Sequence, residues 1–283
     1  MNKKTIVITG ASDGIGKAAA KQLVELGHEV IIVGRNKEKT ERVAKDLKCK
    51  YYLADFAKFS DVKALADELN KLERIDVLAN NAGAVIPELI KTEDGHEKTY
   101  QVNVLSPFLL TYLLIPKLIE SKATVIQTSS IAANLYAKYD EYALDKIHYN
   151  LGEKYEPFTV YGNTKLANIL YTKWLDHKYK DKGINAVAFE PGVVRTNFGA
   201  EMSGIVKLGY HTPLKYLFTI SPENSAKRLV WLATSIPGKD FECGKTYSKI
   251  GKEMNVNFKD EDLTYSSKLW DKCLKDIEND IEL

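Results

Sequence analysis

The stretch KTIVITGASDGIGKAAAKQLVELG, residues 4–27, decides which fold the chain can adopt. Its first part is a short β-branched run that ends at Gly10, which is typical of a buried strand. Its last part carries apolar residues at helical spacing and stops at Gly27. A strand, a glycine-rich turn and a helix in this order predict the start of a βαβ unit.

Strand-like and helix-like segments alternate along the rest of the chain. Further strands are predicted at HEVIIVG, KYYLADF, RIDVLANNAG, ATVIQTSS, GINAVAFEPG and KTYSKIG, and one long helix from about His96 to Ser121. Each crossover helix returns the chain to the same end of the sheet, so the strands must be parallel and covered on both faces. We expect one doubly wound α/β domain over residues 1–283, with a seven-stranded sheet.

The composition is that of an ordinary globular protein. Forty Lys+Arg against 38 Asp+Glu leave a net charge of +2, and no basic block indicates a nucleic-acid partner. Cys49, Cys243 and Cys273 lie far apart and show no metal-ligand spacing, so no metal is expected. A strand begins almost at once and no apolar run would span a bilayer, so we expect a cytoplasmic location without a stable membrane anchor.

Two segments interrupt the alternation of strands and helices. Residues 131–160 are rich in Tyr and charge, and residues 197–220 are apolar and contain glycine. Both follow the carboxyl ends of predicted strands, where open α/β sheets bind ligands. They are therefore expected on the substrate side, the first either as a lid or as a surface excursion.

The glycine-rich turn indicates a dinucleotide site. Gly10, Gly14 and Gly16 stand between the first strand and the first helix. Glycine there permits a tight turn and lets the backbone approach a pyrophosphate, which the amides of the helix N-terminus then face. The spacing differs from the G-x-G-x-x-G fingerprint, but the position after a first strand favours this function.

The end of the second strand indicates which cofactor is bound. An NAD enzyme usually places a carboxylate there for the ribose diol, whereas a 2′-phosphate favours Arg. The sequence reads Val33-Gly34-Arg35-Asn36, without an acid. NADP(H) is therefore predicted in preference to NAD(H).

A Tyr and a Lys four residues apart form the candidate catalytic pair. In YGNTK, residues 161–165, Tyr161 and Lys165 fall on one helical face about one turn apart. A cation held beside a phenol favours the phenolate, so such a Tyr can exchange a proton with a substrate. The pattern also occurs by chance as a surface pair on an amphipathic helix, so its context in the rest of the sequence must distinguish a catalytic pair from a surface pair.

That context resembles the short-chain dehydrogenase/reductase family over nearly the whole length of the chain. The motifs, in the family's order, are TGASDGIG, Asp55, NNAG at 80–83, Asn103, Ser130, YGNTK and PGVVRTN at 191–197. The retinol-dehydrogenase-like branch is indicated by Gly244-Lys245, Tyr247, Leu269-Trp270 and Cys273. The resemblance implies a Rossmann-type, nucleotide-binding oxidoreductase with a small-molecule substrate.

The family pattern implies a role for each of four residues. Tyr161 would be the general acid in carbonyl reduction, and Lys165 would tune it and bind the nicotinamide ribose. Ser130 would hold the carbonyl oxygen, with Ser129 as the alternative. Asn103 would support a water that links Lys165 to solvent. Tyr161 lies 31 residues after Ser130, a longer distance than the family usually has.

The remaining residues of the pattern imply cofactor contacts. Asp55 would accept from the adenine amino group, and the stretch from Asn81 to Gly83 would line the adenosine. The expected cofactor-binding residues are Gly10, Ser12, Asp13, Gly14, Ile15, Gly16, Arg35, Asn36, Asp55, Phe56, Asn81, Ala82, Gly83, Tyr161, Lys165, Pro191, Gly192, Val193, Val194 and Thr196.

These features predict an NADPH-dependent carbonyl reductase, equally an alcohol dehydrogenase in reverse, that acts on an apolar aldehyde, ketone or alcohol. The alternatives are a catalytically silent dinucleotide-binding regulatory protein and a double-bond reductase. Family members often pair through helices, which implies a dimer or a tetramer.

Overall fold

The computed structural model describes residues 2–138, 155–194 and 219–281 of the chain. Within these residues, eight strands form one sheet. In chain order they are β1 (Thr5–Thr9), β2 (Glu29–Gly34), β3 (Lys50–Leu53), β4 (Val77–Asn80), β5 (Thr124–Thr128), β6 (Asn185–Phe189), β7 (Thr246–Lys249) and β8 (Lys252–Glu253).

The strand order confirms the doubly wound sheet. The order is β3-β2-β1-β4-β5-β6-β7-β8, and every pairing from β3 to β7 is parallel. The chain changes direction beside β1, so the switch point lies between β1 and β4, where such sheets bind ligands. The predicted count of seven strands is wrong by one, because β8 has two residues and pairs antiparallel with β7. A strand of that length produces no periodicity in the sequence.

Ten α-helical segments lie within the described residues, and none of these is both long enough and apolar enough to cross a membrane. They are α1 (Gly14–Glu25), α2 (Lys37–Leu47), α3 (Phe59–Asn70), α4 (Lys98–Tyr100), α5 (Ser106–Leu113), α6 (Ile115–Glu120), α7 (Ala132–Leu135), α8 (Pro157–Tyr179), α9 (Pro222–Thr234) and α10 (Thr264–Asp276).

Helices cover both faces of the sheet and create two apolar cores. In β1, Ile6 and Ile8 join a buried cluster with Leu23 of α1 and Leu229 of α9. Val7, which points to the opposite face, joins the cluster that includes residues of α3, α5, α8 and α10. Alternate side chains of a strand point to opposite faces, so one apolar strand supplies both cores.

The helix predicted from about His96 to Ser121 is helical over most of its length but is not one uninterrupted α-helix. Helical structure begins at Lys98, passes through a π-helical turn at Gln101–Leu105, and continues as α5 and α6 with a break at Leu114. Pro116 lies in the first turn of α6, and a proline cannot donate a backbone hydrogen bond to the preceding turn. The π turn carries Asn103, and such turns often occur at functional sites.

The two predicted substrate-side segments lie largely outside the described residues. In the first, residues 132–135 form α7 and the last residues already belong to α8, which begins at Pro157. The intervening residues 139–154 are outside the described part. Of residues 197–220, only Thr219 and Ile220 are described. The substrate-side role of both segments stays a prediction.

Helix α10 closes one face of the molecule through Trp270. Its side chain is 2% exposed, and its ring lies 4.9 Å from Phe108 of α5 in an edge-on contact. It also stacks on Tyr171 of α8 at 5.9 Å, and the Lys178 ammonium lies 4.9 Å from its ring centre. The C-terminal helix therefore holds α5 and α8 together from outside.

We expect Trp270→Ala to lower the free energy of unfolding by about 3–5 kcal/mol, because removal of a large buried aromatic leaves a cavity beside the Phe108 and Tyr171 rings. Urea unfolding followed by circular dichroism measures this. Trp270→Phe keeps the edge-on contact and should lose less than Trp270→Ala. A loss below about 1 kcal/mol for the Ala variant would show that α10 does not depend on this contact.

Candidate active site

The predicted catalytic pair lies on α8, beside the end of β5. Lys165 is 3% exposed, and its Nζ donates to the carbonyl oxygen of Thr128 at 2.9 Å. The same Nζ lies 5.5 Å from the ring centre of Tyr161. The structure therefore brings Tyr161 and Lys165 together as the helical spacing predicts.

Burial changes the acidity of the lysine. The apolar surroundings disfavour the ammonium and lower the pKa of Lys165 from 10.5 to about 8. At neutral pH the ammonium is still the main form, but it gives up its proton far more readily than a solvated lysine. Lys165 can therefore act as a cation beside Tyr161 and as a proton donor or acceptor.

Asn103 is held near the lysine by hydrogen bonds to Ala84 and Thr164. Its Nδ2 donates to the Ala84 carbonyl at 2.9 Å and to Thr164 Oγ1 at 3.0 Å, and its Oδ1 accepts from the Ala84 amide at 2.8 Å. A Cβ placed on Gly83 would lie 3.2 Å from both Asn103 Oδ1 and Lys165 Nζ. Asn103 and Lys165 thus approach the same backbone position.

Ser129 and Ser130 differ in what their hydroxyls do. Ser129 is 1% exposed and donates its proton to the Lys165 carbonyl at 2.8 Å. Ser130 is partly exposed, and its Oγ accepts from the Ala132 amide at 3.2 Å. A hydroxyl that accepts from the protein still has its proton for a ligand. The geometry supports Ser130 as the serine that faces a substrate.

The glycine turn brings backbone segments close together. A Cβ on Gly16 would lie 2.6 Å from the Gly10 carbonyl oxygen, so a side chain there would force the turn apart. Gly10 has φ of +66°, which favours glycine. Asp13 caps α1 by accepting from the Gly14 amide at 2.8 Å, and its carboxylate lies 3.5 Å from Lys39 Nζ. The cation offsets an acid that would otherwise repel a pyrophosphate.

Thr9 ties the loop after β4 to this turn. Its Oγ1 accepts from the amides of Asn81 and Ala82, each at 3.0 Å. The Asn81 side chain donates to the Thr9 carbonyl at 2.9 Å. The side-chain amide of Asn81 therefore joins the loop after β4 to the turn after β1, a role that the sequence did not predict.

At the predicted adenosine end, Arg35 is exposed directly after β2. Asn36 caps α2 by accepting from the Lys39 amide at 2.9 Å. One carboxylate oxygen of Asp55 accepts from the Ala57 amide at 3.0 Å. The Phe56 side chain is buried in the core, so the predicted cofactor contact at this residue would involve its backbone. Of the other predicted residues, Ser12 lies against Gly34 and Ile15 packs against the core of the α1 face.

The loop after β6 is held by α9. The Pro191 carbonyl accepts from Ser225 Oγ at 2.7 Å, and the Val193 carbonyl accepts from the Ile220 amide at 2.8 Å. Val194 forms an isolated bridge with Ile220. Gly192 lies in the same loop, whereas Thr196 falls outside the described residues.

Sequence reasoning missed Glu190, Thr128 and Thr164. Thr128 and Thr164 contact Lys165 and Asn103 through a carbonyl and a hydroxyl, which no sequence pattern indicates. Glu190 follows the buried run of β6 and lies directly before Pro191, yet it is only 7% exposed. An acid at the end of an apolar strand was the signal that could have found it.

These residues fit a nicotinamide dinucleotide. In the turn between β1 and α1, the backbone at Gly16 lies so close to Gly10 that a side chain has no room. This turn places the first amides of α1 at the switch point of the sheet, where they can face a phosphate. Arg35 follows β2, and Lys165 contacts the end of β5, three strands further along the sheet. In the described parts of the chain, no three His, Cys, Asp or Glu side chains could hold a metal ion.

The comparisons with known proteins agree with this geometry. Residues 4–146 match the family model described as short chain dehydrogenase. Retinol dehydrogenase 14 of Mus musculus is 32% identical over 96% of this chain and 85% of its own length. Retinol dehydrogenase 11 of Homo sapiens is 37% identical over 68% of this chain and 62% of its own length.

A solved complex of RhlG from Pseudomonas aeruginosa with NADP has the same fold. It superposes with a TM-score of 0.68 at 24% identity, over 88% of this chain and 95% of its own. The protein is a short-chain dehydrogenase/reductase, and it belongs to the retinol-dehydrogenase-like branch of that family.

The low pKa of Lys165 predicts a pH dependence of stability. Between pH 8 and 10.5 the unfolded chain holds a proton on this lysine and the folded chain does not, so stability contributed by this group rises with pH. Over this pH range, the contribution of Lys165 to the free energy of unfolding rises by roughly 3 kcal/mol. Lys165→Met should remove it, which urea unfolding of cofactor-free protein at pH 7 and pH 10 measures.

Lys180→Met is the matched control, because Lys180 is exposed just beyond the end of α8. It should keep the pH dependence of the wild-type protein. If the Lys165→Met variant keeps that dependence as well, the ammonium is not desolvated as described.

Proposed function

We propose that this protein is an NADPH-dependent carbonyl reductase, equally an alcohol dehydrogenase in reverse, for an apolar aldehyde, ketone or alcohol. The observation that carries the proposal is the buried Lys165 beside Tyr161, with Asn103 and Ser130 converging on the same end of the sheet. Lys165 lies close to Tyr161 and Asn103, and Ser130 follows the end of β5 that Lys165 contacts, which supports a shared role in moving a proton.

In this proposal, Tyr161 donates its proton to the carbonyl oxygen of the substrate. Ser130 donates a hydrogen bond to the same oxygen, which holds the carbonyl in place as charge develops there. The nicotinamide supplies the hydride to the carbonyl carbon when it is bound. The product is the alcohol, and Tyr161 is left as a phenolate that must regain a proton.

Lys165 and Asn103 supply the return of that proton. The Lys165 ammonium stabilises the phenolate of Tyr161, and a pKa of about 8 lets it exchange protons near neutral pH. The shared approach of Asn103 and Lys165 to Gly83 supports a water between them and solvent. This is the role that the family pattern implied for Asn103.

The preference for NADP(H) rests on Arg35. The side chain is exposed where β2 ends, and β2 itself finishes at Gly34 without a carboxylate. A 2′-phosphate there would gain charge-assisted hydrogen bonds from the guanidinium. The complex of RhlG with NADP shows that a protein of this fold holds this cofactor.

The apolar substrate class rests on the surface around Ser130. Ile131, Leu135 and Val193 follow the ends of β5 and β6 and are exposed. Exposed apolar side chains beside reactive groups favour an apolar ligand. The relatives named retinol dehydrogenases are consistent with a lipophilic alcohol or aldehyde.

We expect NADPH absorbance to fall when the protein is mixed with members of a panel of apolar aldehydes and ketones. Tyr161→Phe should lower kcat by about 100-fold or more, because the proton donor is lost. Its affinity for NADPH, measured by fluorescence titration, should stay within a few-fold of the wild type.

Tyr179→Phe is the control, since it removes a hydroxyl from the other end of α8. It should leave kcat unchanged. Equal turnover of an accepted substrate by the Tyr161→Phe and wild-type proteins would contradict the proposed role of Tyr161 as proton donor.

For the cofactor, Arg35→Glu should weaken NADPH binding by roughly 100-fold, because charge-assisted hydrogen bonds are lost and a like charge is added. NADH binding should change far less. Arg42→Glu makes the same charge change at an exposed position further along α2 and should affect neither cofactor selectively. Equal losses for NADPH and NADH in Arg35→Glu would contradict the assignment.

A further inference from the structure

Glu190 is a buried carboxylate that the catalytic proposal leaves without a role. It follows β6 and is 7% exposed, and its amide donates to the Tyr247 carbonyl at 2.8 Å, so its backbone is held within the sheet. A carboxylate in such a place is costly unless it is paired and hydrogen-bonded. Its partners therefore indicate why the position carries an acid.

The first partner is Arg228 of α9. Its Nη1 lies 3.5 Å from Glu190 Oε2 and also donates to the Glu190 carbonyl oxygen at 2.6 Å. Both side chains are largely withdrawn from solvent, at 15% and 9% exposure for Arg228 and Glu190. One guanidinium thus contacts the side chain and the backbone of the same residue.

The other partners belong to two loops of the site. Glu190 Oε1 accepts from the Gly192 amide at 2.5 Å, in the loop predicted to face the cofactor. Burial raises the pKa of Glu190, and the Gly192 amide, Arg228 and, most weakly, the amide of Ile131 offset part of this rise. Ile131 is the residue after Ser130. The carboxylate is therefore hydrogen-bonded to the cofactor loop and has a weaker electrostatic interaction with the chain next to the proposed substrate-binding serine.

The same two loops are tied to rigid neighbours at their other ends. The Ser129 amide donates to the Phe189 carbonyl at 2.8 Å, and the Pro191 carbonyl accepts from Ser225 of α9. Between these fixed points, the Gly192 amide has Glu190 as its acceptor, and the Ile131 amide lies near the same carboxylate. An apolar side chain at residue 190 would leave the Gly192 amide without this acceptor and would remove the carboxylate that both loops share.

We infer that Glu190, held by Arg228, is a positioning residue that sets the distance between Ser130 and the cofactor loop at 191–194. The inference rests on the proposed function, since it assigns the geometry of that same site. Hydride and proton must reach one carbonyl group, so a shift between the two loops costs turnover as well as affinity.

The test uses Glu190→Gln in the full-length protein. Gln keeps one acceptor for the Gly192 amide but places an uncharged amide against Arg228. We expect kcat to fall about 10-fold and the KM for NADPH to rise several-fold, measured well below the melting temperature. Arg228→Met should give the same pattern, because it leaves the carboxylate buried without its cation.

Two further variants show that the pair acts as a unit. The double variant Glu190→Gln, Arg228→Met should have a kcat no lower than the worse single variant. Arg228→Lys keeps a cation near Oε2 and should recover most of the lost kcat. Additive losses in the double variant, or no recovery with Lys, would overturn the inference.

Asp276→Asn is the matched control for a purely structural effect. Asp276 forms a comparably shielded pair with Lys272 at 3.4 Å and accepts from the Tyr100 hydroxyl at 2.9 Å, on α10. Its loss should lower the melting temperature without changing kcat or KM. If Glu190→Gln behaves like Asp276→Asn, the inference fails and Glu190 serves stability alone.

Failure of the proposed function looks different. In that case the wild-type protein itself turns over no carbonyl in the panel. The inference is then tested by fluorescence titration with NADPH, for which the Kd of Glu190→Gln should still rise several-fold while that of Asp276→Asn stays unchanged. An unchanged Kd for Glu190→Gln would overturn it.

Discussion

The site depends on one buried ammonium. Lys165 Nζ has given up nearly all contact with water and donates to the carbonyl of Thr128, the last residue of β5. An uncompensated charge in an apolar interior is unfavourable in free energy, so the ammonium must keep this hydrogen bond. The hydrogen bond in turn holds α8 at one position along the sheet. The same contact places Tyr161 one turn away, at the carboxyl end of the strands. The cost of burial lowers the lysine pKa, which is the property that proton exchange requires.

The loops around Lys165 are held by polar side chains that contact neighbouring loops. Thr9 and Asn81 join the ends of β1 and β4, and Ser129 joins the end of β5 to α8. Glu190 extends this pattern to the loops after β5 and β6. Each loop lies at the carboxyl edge of a parallel sheet, where the amides beyond the last strand pairs need other partners. Side chains supply those partners, and so the crevice keeps its shape.

Much of the fold was accessible from local patterns. The alternation of β-branched runs with amphipathic segments predicted the parallel sheet, and the spacing of Tyr161 and Lys165 predicted their shared face. The helix predicted from about His96 to Ser121 is helical over most of its length, but its π turn and its break at Leu114 were not predicted. The residues that follow the π turn are buried on all sides, so the sequence there has little periodicity that could reveal an inserted residue. That turn carries Asn103 beside Gly83. Phe56 shows another limit: a motif names a position, and only packing shows that its side chain points into the core.

The sequence by itself determined the order of elements, the glycine turn, the Arg at the end of β2 and the residue types of the catalytic set. These depend on neighbours a few positions apart, where backbone sterics and helical spacing act directly. Only the tertiary structure decided which of Ser129 and Ser130 keeps its proton for a ligand, and that Glu190 contacts Gly192 and Arg228. Those relations join residues from different strands and helices. They arise from the packing of the sheet edge, which no local pattern records.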